Sequence, residues 1–474
     1  MNEKSNKLIS IVAGLSKVQR RSCRKLIQSP WFGGNETLLA FFVEITRRLD
    51  KDKPLDKGEI WRAVLGKKKP YNDVRFRKYT SDLFKLVQEF LTQEALTEEP
   101  ELKDYLYLAA LEKQNPDKLI RGVERNWESL KGPEKSFQYS SYLYRHLLED
   151  RKYNLLNYEH RPYERANVED ISSALDIYFI VVKLRNAVHS QSRVQTEKRQ
   201  YELHFIPEVI QFLERTGTYL DHPIVAAHYY MYKMLADADS YDAYYRYKEI
   251  MMARTDELAG QEAYELIQPA LNYSRRRINE GRVSFRAEYL EIYRFALDRG
   301  LVFDDGVLDP LQFRNTILTA LREGEYEWAE YFITEYQHRL PEKQRLNAVN
   351  YNSALLYFYS KNYDKALDFL RDVEYENTTY NLNAKAMLLS IYYETGADIA
   401  LDSLFDSVTA YLNRHRELPA SAQEAFRSLI SFTRRLTRML PGDKKALGQL
   451  KKDLAERKYV ASRPWLESKI AERE

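Results

Sequence analysis

The sequence predicts an all-α protein: an α-solenoid of stacked helix hairpins with a basic helical module in front of it. Three observations carry that expectation. Within residues 311–414 a pattern of helix, turn and helix recurs: residues 350–357 lead through Asn362, Tyr363 and Asp364 to Ala366, and residues 384–393 lead through Gly396 to Ala400. Ala366 and Ala400 stand 34 positions apart (400 minus 366), a period typical of two-helix repeats. The prolines of the second half are expected in connections rather than helix interiors, and no run alternates apolar and polar residues as a half-buried strand requires.

At 474 residues the chain is too long for one compact core and calls for several domains or an extended array. With 44% hydrophobic and 30% charged residues it falls among folded, helix-rich chains. Its 37 tyrosines are expected to fill the seams between helices while their hydroxyls reach water. Cys23, the single cysteine, excludes an internal disulfide and a Cys-rich zinc site, and is expected to be a small core residue. The first residues lack the apolar region of a signal peptide, and the longest uncharged apolar run, residues 177–182, is far short of the ~20 residues of a membrane span. A cytoplasmic location with no membrane span is the resulting expectation.

Charge is unevenly spread. Residues 1–95 hold 20 Lys and Arg against 11 Asp and Glu, a balance of +9, while the other 379 residues hold 53 against 59. That imbalance points to an anionic partner for the first segment. Its local signals are those of short capped helices. Leu8, Ile11, Val12 and Leu15 share a face, and Ser16 caps a second helix that stops at Ser29 and Pro30. Trp31 and Phe32, ahead of Gly33 and Gly34, are expected to tuck into the local core. Asn35 caps a helix striped by Leu38, Phe41, Phe42, Ile45 and Leu49, Asp56 begins one closed by Gly66, and Asn72 opens a long one. Between the last two, Lys67, Lys68 and Lys69 feed a helix start bearing Arg75, Arg77 and Lys78, an arrangement suited to the phosphates of DNA or RNA. The lysine run lacks the glycine spacing of a nucleotide-binding phosphate loop.

Residues 1–95 thus form a basic helical module, residues 101–300 an irregular helical-hairpin array, residues 301–416 the repeats, and residues 417–474 the capping helices. In the irregular part, connections are expected at 115–117, 131–133 and 160–167. Residues 171–188 are apolar enough to be expected buried on nearly all sides. Residues 264–299 read as a degenerate hairpin turning at Gly281. Asp304, Asp305 and Gly306 turn the chain ahead of a helix at Leu311, and Trp465 with Leu466 is the expected anchor of the final helices.

Ala354, Tyr357, Ala366, Leu370 and Val373, with Asn362, Tyr363 and Asp364 in the turn, resemble a tetratricopeptide repeat. The preceding unit offers Ala320, Ala329, Ile333 and Tyr336 around Gly324; the following one offers Leu388, Ile391, Ala400 and Leu404 around Gly396. The match departs from the family pattern at Asn350, Ser353 and Leu388. The chain is also similar to a group of long helical proteins of Bacteroidota through residues 29–32, residues 81–86 and the repeat segment, a likeness that brings no activity with it. The tetratricopeptide-repeat (TPR-like) resemblance implies a right-handed α-solenoid whose first helices line a concave groove. Its groove positions match Arg314, Arg322, Tyr351, Phe358, Tyr359, Lys385, Tyr392 and Tyr393. Cations beside phenolic rings suit a carboxylate-bearing peptide with an apolar anchor. Leu318, Leu355 and Leu389 stand where the carboxylate-clamp subtype needs polar groups, so that subtype is not expected.

No motif supports catalysis. The eight histidines are scattered without the spacing of a helical metal site, and neither His-Glu-x-x-His nor Gly-x-Ser-x-Gly occurs. The expectation is a non-enzymatic scaffold, without metal or cofactor, that binds a protein or peptide partner. The alternative is a nucleic-acid-associated regulator acting through residues 1–95.

Overall fold

The computed structural model describes residues 6–113, 137–156, 165–197, 201–237, 239–258, 260–371, 373, 378–415, 417–440 and 442–473. Over these residues the chain is all-helical, with 22 α-helices, no strand, and an isolated antiparallel bridge between Asp304 and Val307. The connections expected at 115–117 and 131–133, and most of that at 160–167, lie outside the described residues. The chain divides into two compact units, residues 1–187 with 201–225 and residues 188–200 with 226–474.

The first unit opens with α1 (Lys7–Gly14), α2 (Lys17–Gln28), α3 (Glu36–Asp50), α4 (Lys57–Leu65) and α5 (Asp73–Glu98). Each of the last four begins where a polar side chain satisfies free backbone amides: Ser16 in a reciprocal capping box with Gln19, then Asn35, Asp56 and Asn72. Their apolar stripes meet in one core, where Phe41 stands edge-on to Phe76 at 5.7 Å and stacks on Tyr79 at 5.2 Å. Cys23 is fully buried there, and burial followed by the Glu94 charge pushes its thiol up to about 12, far from a reactive thiolate. Trp31 departs from expectation. Phe32 is half-buried, but Trp31 is 88% exposed, because the 3-10 turn Pro30–Phe32 sends successive side chains in different directions.

The unit continues with α6 (Pro100–Glu112), α7 (Tyr139–Leu156), the first two thirds of α8 (Val168–Glu197), α9 (Ile206–Thr216) and the start of α10 (Pro223–Ala236). Helix α8 is not buried all round. Ala174, Ile177, Ile180, Val181 and Leu184 are buried, while Leu175 is 43% and Phe179 40% exposed. The outer ring of Phe179 is sheltered instead by Phe205 at 6.3 Å and by the Lys183 ammonium at 5.6 Å.

In the second unit α11 (Tyr241–Arg254) and α12 (Gly260–Asn279) precede α13 (Phe285–Asp298), and α12 pairs with α13 as the hairpin expected around Gly281. Pro269 lies inside α12, against the expectation that prolines keep to connections. A mid-helix proline costs about 3 kcal/mol; here the buried face of Leu266, Ile267, Ala270 and Leu271 holds the helix through it. Several tyrosines also depart from the seam-and-water picture. Tyr244 and Tyr247 are fully buried, with hydroxyls bonded to Ser274 and to the Leu266 carbonyl respectively, and burial pushes both phenols far up.

Three further hairpins follow: α14 (Pro310–Arg322) with α15 (Tyr326–Tyr336), α16 (Glu342–Tyr359) with α17 (Tyr363–Arg371), and α18 (Thr378–Glu394) with α19 (Asp398–Arg414). The bridge at Asp304 and Val307 turns the chain, and Asp309 caps α14. First helices neighbour one another in order, α14 against α16, α16 against α18, and α18 against α20 (Ala420–Arg438). Helices α21 (Lys444–Glu456) and α22 (Arg463–Ala471) pack on α20, and Leu466 is fully buried as expected.

The three hairpin turns are built alike. The amides of Glu325, Asn362 and Ala397 bond to the carbonyls of Ala320, Tyr357 and Tyr392 at 2.9, 2.8 and 2.9 Å, which closes each first helix in the Schellman manner. The residue just before each is left-handed: Gly324 (φ 80), Lys361 (φ 58) and Gly396 (φ 66). Lys361 is the one that carries a Cβ into this region. Lys361→Gly is therefore expected to stabilise the protein by about 1 kcal/mol, read as a higher denaturant midpoint at unchanged slope.

These turns set the true register. The fourth residue of each second helix bonds back to the residue before the helix: Ala329 to Glu325, Ala366 to Asn362 and Leu401 to Ala397. The counterpart of Ala366 is thus Leu401, which is 1% exposed, and not the half-buried Ala400. The repeat step is 37 residues and then 35 (366 minus 329, 401 minus 366), so the 34-residue spacing is one short.

Candidate partner-binding surface

The register decides which predicted groove residues share a face. Moving by 37 and 35 positions, Arg314 corresponds to Tyr351 and Ala386, and Arg322 corresponds to Tyr359 and Glu394. Contacts follow these columns. The Arg314 guanidinium lies 5.8 Å from the Tyr351 ring centre, and Arg322 Nε donates to the Tyr359 hydroxyl at 3.4 Å. Each arginine of α14 thus reaches a phenol on α16. Tyr351 is only 3% exposed, so it supports Arg314 from below and offers no ring face to a ligand; burial raises its phenol while Arg314 opposes the shift. Phe358 and Tyr359 are half-buried and meet edge to face at 5.7 Å.

Lys385 falls one position off the Arg314 column and Tyr392 two positions off the Arg322 column. Lys385 corresponds to Asn350 and to the fully buried Phe313. It leans on the second helix of its own hairpin, with Nζ 3.4 Å from Ser407 Oγ and 5.9 Å from the Tyr411 ring centre. Burial and the nearby Arg414 lower its pKa. Tyr392 corresponds to Tyr357, which stacks on Phe369 of α17 at 5.5 Å, and it likewise packs into the hairpin core. Neither belongs with Arg314 and Arg322.

Tyr393 is level with Phe358, another of the expected groove residues, but it is covered. The Trp465 indole stands perpendicular to its ring at 5.4 Å, and Arg473 lies 6.0 Å above it. The neighbouring Glu394 completes the seal: it accepts from Trp465 Nε1 at 2.8 Å and pairs with Lys469 Nζ at 2.8 Å. Helix α22 therefore covers this end of α18. Trp465 is the anchor expected from sequence; its partner Glu394 carries no local signal, since the two are 71 residues apart.

In the first unit, Lys67, Lys68 and Lys69 are exposed on a turn pinned by the Trp61 indole, which donates to the Lys69 carbonyl at 3.1 Å. Arg75 and Lys78 are exposed beside it on α5. Arg77 is already bound to Asp73 at 2.7 Å, and Asp73 also holds Tyr71 at 2.6 Å and Lys57 at 3.4 Å. With Asn72 as cap and Asp73 in the first turn, the positive end of α5 is neutralised within the chain. The loop can add charge to a polyanion site, but this helix start is no anion cradle.

Among the described residues no group of three or more His, Cys, Asp or Glu could hold a metal ion, and no helix is long and apolar enough to cross a membrane. No family model matches the chain, and no curated protein or solved structure is significantly similar to it.

Proposed function

We propose that the protein is a non-enzymatic cytoplasmic scaffold, a TPR-like array whose first helices bind a carboxylate-bearing segment of a partner protein. The reading is supported by one observation above the others. Arg314 and Arg322 lie two turns apart on α14, about 12 Å along its axis, and among the described residues no carboxylate is within ion-pair distance of either. Other arginines of this unit do have such partners: Arg286 with Glu323, Arg299 with Asp256, Arg434 with Asp406 and Arg435 with Asp453. Tyr359 and Phe358 supply an apolar shoulder beside the two cations.

The test is selection of a displayed random-peptide library on the full chain, followed by affinity measurement on the Arg314→Glu/Arg322→Glu variant. Selected peptides are expected to carry Asp or Glu next to an aliphatic or aromatic residue. The variant is expected to bind them at least about tenfold more weakly, since each charge-assisted hydrogen bond is worth roughly 1.5–3 kcal/mol. Peptides without acidic residues, or equal affinity for the variant, would refute the assignment.

A further inference from the structure

Helix α2 carries Lys17, Arg20, Arg21, Arg24 and Lys25 in twelve residues and no acidic residue at all. Its inner face is spoken for. Cys23 and Ile27 are buried in the core, and Arg20 turns aside to Asp50 at 2.6 Å and to the Ala13 carbonyl at 3.0 Å. Lys17, Arg21, Arg24 and Lys25 are all exposed, and among the described residues no carboxylate pairs with any of them. Glu94, another carboxylate that reaches this helix, accepts from Gln19 Nε2 at 2.8 Å.

Where α2 stops, the chain presents Trp31. Its turn is held by three backbone bonds, Phe32 to Ser29, Gly33 to Pro30 and Gly34 to Ser29, each 3.1 Å. Gly33 adopts φ 91, open to glycine and unfavourable to other residues. These bonds fix the backbone from which the 88%-exposed indole projects. The exposed indole follows the last of these cations, Lys25, by six residues (31 minus 25) and leaves a flat ring face open to water.

We propose that α2 and Trp31 form a binding face for single-stranded nucleic acid. Lys17, Arg21, Arg24 and Lys25 hold successive phosphates along a helix about 18 Å long, and an unpaired base stacks on Trp31. Three features favour this occupant. The charge is complementary to a polyanion. The stacking platform has use only where bases are not already stacked in a duplex. A lipid surface would require the apolar face of α2 to face outward, yet Cys23, Leu26 and Ile27 point into the core and Val18 is the lone apolar residue among its exposed ones. The site lies within the first unit and shares no residue with the hairpin surface.

The experiment uses the full chain and a fluorescently labelled oligothymidylate, with anisotropy read against salt. Binding is expected at low salt, with log affinity falling against log salt at a slope of about −3 for four phosphate contacts. Trp31→Ala is expected to weaken the single strand about tenfold and to leave binding of a duplex unchanged. Lys17→Glu/Arg21→Glu/Arg24→Glu/Lys25→Glu is expected to abolish binding with helicity intact by circular dichroism, since all four side chains lie outside the core. No oligothymidylate binding at low salt would overturn the proposal, as would indifference to Trp31→Ala. Retention on phosphatidylglycerol vesicles in place of the oligonucleotide, lost in the same variants, would overturn it in favour of a lipid surface.

Discussion

Phe332→Ala is expected to destabilise the second unit by about 3–5 kcal/mol, the range for removing a fully buried aromatic ring. Phe332 has no exposed surface and sits where two hairpins join. It stacks on Trp328 at 5.1 Å, meets Phe313 at 5.2 Å and Tyr336 at 5.2 Å, and touches Tyr293 edge-on at 5.8 Å. Rings this rigid cannot close over the void, so the cavity term adds to the lost transfer energy. Arrays of repeats lose cooperativity when one interface fails. The denaturation curve should therefore broaden as well as shift, which distinguishes a broken interface from uniform weakening. A midpoint within experimental error of the parent would show that the ring is not the joint described.

The second large effect concerns the register. Ala366→Leu is expected to cost about 1–3 kcal/mol by overpacking, because Ala366 is fully buried in its hairpin and its methyl sets how near α17 comes to α16. Ala400→Leu should change stability by less than about 0.5 kcal/mol, since Ala400 is half-buried and the inward position next to it already holds Leu401. Midpoints measured on the two variants side by side decide the matter. Equal and large losses would restore the 34-residue alignment and put Lys385 and Tyr392 back in the groove.

What was legible in the sequence is what is decided within a few residues. Ser16, Asn35, Asp56 and Asn72 cap their helices because the bond each makes reaches only three residues along the chain. The buried stripes of α3 and α5 are periodic for the same reason. The repeat register was misread because alanine was matched to alanine. Counting from the left-handed residue finds it: Gly324 to Ala329, Lys361 to Ala366 and Gly396 to Leu401 are equal steps. Trp31 was misplaced because hydrophobicity says how much a side chain gains from burial and nothing about which way a tight turn aims it. The covering of Tyr393 by Trp465 was out of reach, being a matter of which distant helix arrives there.

That covering helix bears on the order in which the second unit assembles. Most hairpin contacts join segments less than forty residues apart and can form as a chain reaction from any starting point. The bonds of Glu394 to Trp465 and Lys469 close loops of 71 and 75 residues, an entropic cost that must be met before either bond returns anything. They are gained only after α18 to α21 have brought both ends within reach. Docking of α22 is thus a late event of the folding reaction, and its contacts belong to the class that slows unfolding without speeding folding.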